Sequence, residues 1–336
     1  MKHETFMLHA SRFMHIPVLL KETIEILDPQ IEEFFIDGTI GGAGHSKEIL
    51  KRIGPTGKLL GIDWDEEMIK IAEENIKNYK NAILVHSNYT DLPQILKKKK
   101  LPKADGLFLD LGFSSPQIDE FKKGFSFMKD EPLDMCYDAD MRNEKLEIRN
   151  LTAAEAVNQF PEKELADIIF KYGEEKFSRQ IAKKIIKERR KKRILTTFDL
   201  VEIIKKAVPK SYERGRIHPA TRTFQALRIY VNNELENLEN LLKNIDKIVK
   251  SEEKPSRQTG MSTKSGLDQS PSWREGGRIA IISFHSLEDR LIKNYFRAMA
   301  KEGKARILTK KPITPTQEEI KQNPRSRSAK LRAIQL

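Results

Sequence analysis

The stretch "FIDGTIGGAGHS", Phe35 to Ser46, decides the fold. An apolar run closes on an acid, Asp37, and four glycines follow within the seven residues Gly38–Gly44. The run reads as a strand, the glycines as a turn, and His45-Ser46 as the opening of a helix. In open α/β sheets, ligands bind beyond the carboxyl ends of the strands, and the first strand-to-helix turn is the usual cradle. Gly41, Gly42 and Gly44 permit φ > 0 and let a ligand reach the backbone. The helix start offers N–H groups that lack an intrahelical partner. The bland alternative is a tight turn that binds nothing, for which four glycines are more than the geometry needs.

Working outward, Glu33–Asp37, Lys58–Asp63, Ala82–His86 and Asp105–Leu111 read as strands, with helices over Ser46–Ile53 and from Asp63 to about Asn78. Short apolar strands alternating with helical patterns predict a parallel sheet covered on both faces. Lys97–Lys100 reads as a solvated loop. From Gln117 to Ile217 the strand signal disappears. Thr152–Glu155 carries a capping-box pattern, and 163–172, 177–193 and 197–208 read as helices. Lys187–Arg193, "KERRKKR", holds six basic residues in seven. From Thr221, Phe224, Leu227, Val231, Leu235, Leu238 and Leu242 recur at steps of three and four, the pattern of one long amphipathic helix. Residues 252–277, rich in Ser, Gly, Pro, Lys and Gln, read as a flexible segment. A strand and helix resume in "GGRIAIISFHSLEDRLIKNYF". The expected organisation is one α/β domain, 14–116 with 219–336, interrupted by a helical domain, 117–218.

The 336 residues carry 61 Lys and Arg against 49 Asp and Glu, a net charge of +12. That excess suits a polyanionic partner through steering and counterion release, though it also suits plain solubility. A single cysteine, Cys136, excludes an intrachain disulfide and a cysteine zinc cluster, and fits a reducing cytoplasm. No apolar run reaches membrane-spanning length.

The dinucleotide fingerprint needs a third glycine where Lys47 stands, and no P-loop pattern is present. Asp63, ending the second strand in "LLGIDWDEE", is placed to accept the hydroxyls of a ribose. A nucleoside cofactor without a pyrophosphate remains, and S-adenosylmethionine suits it, its sulfonium favouring nearby carboxylates. Asp110, at the end of the fourth strand in "DGLFLDLGFSSPQIDE", is such a carboxylate. Ser114–Gln117 loosely matches the polar-proline motif of amino-group methyltransferases, with Gln117 in place of the usual aromatic. Methylation at a pyrimidine carbon needs a cysteine nucleophile, and Cys136 lies outside any strand-end motif. His285, Glu288 and Asp289 do not form a recognised metal-ligand set; they border the site or cap a helix. The expectation is no metal. For RNA contact the candidates are Lys183–Arg193, Arg214, Arg216, and the tail residues Arg325, Arg327, Lys330 and Arg332, with Phe113 as a platform for a flipped base.

These residues, with "HIPVLLKETI", "GFSFMKDEPLDM", "YGEEKFSRQIAKKI", "HPATRTFQALRIYVNNEL", "ISFHSLEDRLIKNYF" and "NPRSRSAKLRAIQL" in order along nearly the whole chain, resemble the ribosomal RNA small subunit methyltransferase H family, the MraW-type enzymes. The resemblance implies a class I S-adenosylmethionine-dependent methyltransferase with a Rossmann-like, mostly parallel seven-stranded sheet and an inserted helical domain for RNA recognition. It implies N4-methylation of a cytidine in the decoding centre, the P site, of 16S rRNA in the small ribosomal subunit. Carried over residue by residue, its cofactor contacts fall on Ala43, Gly44, His45, Asp63, Tyr89, Asp110 and Gln117, with Asp110 also the catalytic candidate. The family usually has Arg-Met after "LDM"; here Cys136-Tyr137 stand instead. A methyltransferase acting on DNA, a cofactor-sensing RNA-binding protein and an NAD-dependent enzyme are the competing readings. Oligomeric state, monomer or dimer, stays open at this level.

Overall fold

In the computed structural model, which describes residues 17–112, 122–137, 151–213, 217–251 and 276–336, the apolar runs of the first third form adjacent strands. In chain order these elements are α1 (Leu20–Leu27), β1 (Phe34–Asp37), α2 (Gly44–Ile53), β2 (Lys58–Asp63), α3 (Glu66–Ile76), β3 (Ala82–His86), α4 (Leu92–Lys99) and β4 (Gly106–Asp110). A helical series follows: α5 (Ala153–Gln159), α6 (Glu162–Gly173), α7 (Ser178–Arg189), α8 (Thr197–Ala207), α9 (Lys210–Glu213), α10 (Thr221–Val231) and α11 (Glu234–Lys243). The remainder comprises α12 (Ile245–Ile248), β5 (Arg278–Ser283), α13 (Ser286–Lys301), β6 (Arg306–Ile307), α14 (Gln317–Gln322) and β7 (Lys330–Gln335). Two compact units result, Met1–Gly112 with Leu238–Leu336, and Phe113–Asn237.

The first unit is built on a seven-stranded sheet of order β3-β2-β1-β4-β5-β7-β6. β1 to β5 pair in parallel, and β7 runs antiparallel to both β5 and β6. Alternate side chains go to opposite faces, as a pleated strand requires. Ile36, Leu60, Leu107 and Ile281 join the core under α4, α11 and α13, whereas Phe35, Leu59, Phe108 and Ala280 join the core under α1, α2 and α3. Burial on both faces explains why these strands read as continuous apolar runs. The strand order reverses between β1 and β4: the chain proceeds from β1 to one side through β2 and β3, then returns to β1's other flank. A reversal of this kind opens a crevice at the carboxyl ends of the two strands.

The second unit is helical, with a core drawn from Leu165 and Ile169 of α6, Ile181 and Ile185 of α7, Leu200 and Ile204 of α8, and Phe224 and Leu227 of α10. The capping box expected at Thr152 is present: Thr152 Oγ1 accepts from Glu155 N at 3.1 Å, and Glu155 Oε2 accepts from Thr152 N at 2.8 Å.

Several expectations are corrected. Lys97–Lys99 are the last turn of α4, not a loop, where cations complement the negative helix end. The single helix expected from Thr221 is two helices, broken at Asn232-Asn233. Asn232 Nδ2 donates to Met135 O at 2.8 Å and to Arg228 O at 3.0 Å, its Oδ1 accepts from Tyr137 N at 3.0 Å, and Asn233 takes a left-handed φ of 50°. The side chain thus competes for backbone groups that a continuing helix would use. The return to the α/β part, drawn at 219, falls at Leu238 by the division into units, because Phe224 and Leu227 of α10 are packed into the helical core. Helix α7 stops at Arg189 rather than running to Arg193. Of 252–277, only Gly276 and Gly277 are described.

Candidate active site

Asp37 ends β1 at the floor of the crevice and is almost wholly buried. Its Oδ2 accepts from Ser46 Oγ at 2.6 Å and its Oδ1 from Thr39 N at 3.2 Å. The acid therefore ties the strand end to the first turn of α2. Gly38 N donates to Phe108 O at 2.9 Å, so the loop leaves β1 still joined to β4.

The loop's glycines serve separate purposes. Gly41 has φ +48°, and its N–H donates to Asp63 Oδ2 at 2.9 Å. At Gly44 a Cβ would lie 2.4 Å from Pro17 Cγ, so its bareness admits the preceding chain. The left-handed helix cap falls on Ala43, with φ 61°, and no side chain caps this end of α2. The His45 ring turns inward: its Nε2 lies 3.0 Å from Val18 O, and its centroid 4.3 Å from that of Phe108.

Asp63, at the end of β2, is held by two backbone donors, Gly41 N on Oδ2 and Asp65 N on Oδ1, each at 2.9 Å. The Trp64 backbone also hydrogen-bonds the carboxylate, so its orientation is fixed in advance. Tyr89 opens a 3₁₀ turn after β3, and its Cβ would be 3.4 Å from a Cβ at Gly38. The strand-end residues Asp37, Asp63 and Asp110, the loop residues Ala43, Gly44 and His45, and Tyr89 therefore surround one crevice. Gln117 and Phe113 lie outside the described residues, as do Arg214 and Arg216.

At the end of β4, Asp110 N donates to Thr39 Oγ1 at 2.6 Å. The Gly112 backbone hydrogen-bonds the Asp110 carboxyl, whose Oδ1 is buried with no hydrogen-bond partner among the described residues. Burial pushes its carboxyl up to about 7, with the charges of Asp37 and Glu288 adding to the effect. Burial likewise pushes Asp37 up to about 7, and Asp63 up to about 6. Three acids raised by desolvation in one crevice form a site that a cation would relieve. Thr39 has no signal in the sequence, since a threonine within a glycine loop carries no periodicity, whereas Glu288 belongs to the group expected to border the site or cap a helix, and its charge bears on Asp110.

The group at His285 caps a helix. His285 Nδ1 accepts from Glu288 N at 3.3 Å, and Glu288 Oε2 accepts from Phe284 N at 2.9 Å and His285 N at 3.3 Å. Phe284 in turn lies so close to Gly112 that a Cβ there would meet its ring at 2.5 Å. In the tail, Arg332 Nε donates to Asp289 Oδ1 at 2.6 Å and Lys330 Nζ lies 3.4 Å from Asp289 Oδ2. Both residues are strand members engaged within the unit, which weakens their candidacy for RNA. Cys136 is buried, as an inert thiol would be.

A strand-order reversal, a glycine loop over it and strand-end acids on β1, β2 and β4 define a class I methyltransferase, with a helical insertion. Comparison then narrows the class. The sequence model of the MraW methylase family matches residues 12–256 and 258–336, and the chain belongs to that family. Similar proteins include the ribosomal RNA small subunit methyltransferase H of Clostridium botulinum (strain Kyoto / Type A2), 44% identical over 335 residues, covering 95% of this chain and 98% of that protein. The protein of the same name from Clostridioides difficile (strain 630) is 42% identical over 340 residues, covering 96% and 99%. Among solved structures, an S-adenosylmethionine-dependent O-methyltransferase from Thermotoga maritima aligns at 11% identity with a TM-score of 0.34, covering 94% of this chain and 63% of that one. Among the described residues, no helix is long and apolar enough to cross a membrane.

Proposed function

We propose that this methyltransferase methylates the exocyclic N4 of a cytidine in the decoding centre of 16S rRNA, in the cytoplasm, with S-adenosylmethionine as donor. The observation that carries the reading is the buried Oδ1 of Asp110 at the carboxyl end of β4, which has no hydrogen-bond partner among the described residues. Near-full-length relatives named for small-subunit rRNA methylation support the substrate class, and the net charge of +12 suits RNA.

The residues fit the cofactor. Asp63 would hold the ribose hydroxyls, Tyr89 would lie by the adenine, and the backbone of Ala43, Gly44 and His45 would meet the amino-acid end. Asp110 and Gln117 complete the proposed set. When bound, S-adenosylmethionine supplies a methyl group on a sulfonium. The chain's own task is the nucleophile. The cytosine amine is weak because its lone pair is delocalised into the ring. An N4–H donated to Asp110 Oδ1 localises that pair and holds the nitrogen in line, and positioning of this kind supplies several kcal/mol. A carboxyl that titrates near pH 7 is suited to take the proton the amine sheds.

Mass mapping of 16S rRNA from cells lacking the protein tests the reading. The expected result is loss of one methyl group on a decoding-centre cytidine, restored by the wild-type chain. In vitro, labelled methyl transfer should favour small subunits or 16S rRNA over DNA. Unchanged rRNA in the deletion strain, with transfer to DNA instead, would overturn it.

A further inference from the structure

The helical unit carries a groove of about 590 Å³ between α6 and α10, lined wholly by residues of that unit. Phe170, Tyr172 and Tyr230 supply its aromatic surface. Phe170 is 63% exposed, an apolar ring left in water on a helix that buries its other face. The Tyr230 ring stands edge-on to Phe160 at 5.6 Å, and tilted against Tyr172 at 6.1 Å. Gln225 Nε2 donates to Tyr172 O at 3.1 Å, which joins the two helices at the groove.

Charge surrounds this surface in a specific way. Lys163 and Lys171 line the groove together with Glu164 and Asp167, and Lys171 Nζ lies 4.9 Å over the Tyr172 ring. The basic run begins nearby in the fold. Arg189 Nη1 donates to Val157 O at 2.9 Å and Phe160 O at 2.7 Å, which fastens the end of α7 to the corner that holds Phe160. Beyond it, Arg190, Lys191, Lys192 and Arg193 are exposed.

Aromatic faces beside a cationic track are the means by which proteins hold unpaired nucleotides. Carboxylates repel phosphate but accept hydrogen bonds from base amines. We infer that this groove binds an unpaired, amine-bearing base of the RNA substrate, distinct from the base that is methylated, with Lys163 and Lys171 on its flanking phosphates. The inference rests on the RNA reading above and adds a second anchoring point to it.

The test uses the full-length protein and fluorescein-labelled RNA: a cytidine- and adenosine-rich single strand, an all-uridine single strand and a duplex of equal length. The amine-rich strand should bind most tightly. Phe170→Ala and Tyr172→Ala should each weaken it by about tenfold or more. Phe170→Tyr should restore it, and Glu164→Gln should narrow the gap between the amine-rich and all-uridine strands. Ultraviolet cross-links should map to 163–172. Phe170 is exposed, so its substitution leaves the core intact, and circular dichroism checks this. Wild-type affinity in both alanine variants, or equal binding of duplex and single strands, would overturn the inference. So would a Phe170→Ala variant that only converts a dimer to a monomer, since the groove would then join two copies. In each case methyl transfer to 16S rRNA by the wild type is scored separately. Transfer without groove dependence sinks the groove alone, whereas absence of transfer sinks the rRNA reading.

Discussion

The two units handle charge in opposite ways. In the sheet unit, acids are drawn inward: Asp37 is buried, Asp110 Oδ1 is buried with no hydrogen-bond partner among the described residues, and both carboxyls are pushed up to about 7. In the helical unit, Arg190, Lys191, Lys192 and Arg193 face outward, with surface pairs such as Lys192 with Asp199 at 3.2 Å. Buried like charges store electrostatic cost that a ligand can relieve; surface pairs contribute little and are screened by salt. The first arrangement suits chemistry on one small cation, and the second suits adhesion to a long polyanion.

The separation can be broken by experiment. The largest effect is expected from Asp110→Asn, which removes the proposed acceptor: kcat should fall by about two orders of magnitude, with RNA affinity by fluorescence anisotropy unchanged. A variant that keeps its turnover, or loses RNA binding in step, would erase the contrast. Gly44→Ala comes next. Its Cβ would stand 2.4 Å from Pro17 Cγ, an overpacked contact that should lower unfolding free energy by about 1–3 kcal/mol in denaturant titration.

A smaller effect concerns pH. Asp37, Asp63 and Asp110 have folded pKa values of about 7, 6 and 7, above their ordinary carboxylate range. The ligand-free fold therefore binds more protons than the unfolded chain. Its stability is greatest below about pH 4 for these groups and declines as pH rises toward 7. A cation reverses this cost, so calorimetry should show S-adenosylmethionine gaining about tenfold in affinity over its neutral thioether product between pH 6 and pH 8. A pH-independent ratio would mean that the acids do not face the sulfonium. The smallest change is expected from Lys191→Ala with Lys192→Ala: a few-fold weaker RNA binding and a log–log salt slope shallower by about 2, with cofactor affinity untouched.

The central strands were legible because burial on both faces leaves unbroken apolar runs; β2 and β3 begin and end where the sequence reading drew them. The strand-end acids were legible because strand ends in such sheets face the ligand. The loop was harder. Gly44 reads as a place where ligand meets backbone, yet its missing side chain also makes room for Pro17, and the left-handed position belongs to Ala43. His45 reads as the opening of the helix and, by resemblance, as a cofactor contact; its ring is turned toward Val18 and Phe108. Tyr89 came only from family resemblance, since one aromatic after a strand has no distinguishing pattern. The break at Asn232-Asn233 has no signature in the apolar spacing, which runs on across it; it is made by the carboxamide's bonds to Met135 and Tyr137. The tail reads as a basic arm, whereas Leu331, Ala333 and Ile334 alternate between the two cores as β7.

β4 and β5 are hydrogen-bonded neighbours, Gly106 opposite Arg278 through Asp110 opposite Ile282, although the whole helical unit intervenes in the chain. Their meeting is a long loop closure, and such contacts form slowly. Helices close only short loops and form faster than strand pairs of such separation. Refolding should then show helix formation ahead of any protection of the β4 and β5 amides, and the crevice that holds Asp110 should be among the last parts of the molecule to assemble.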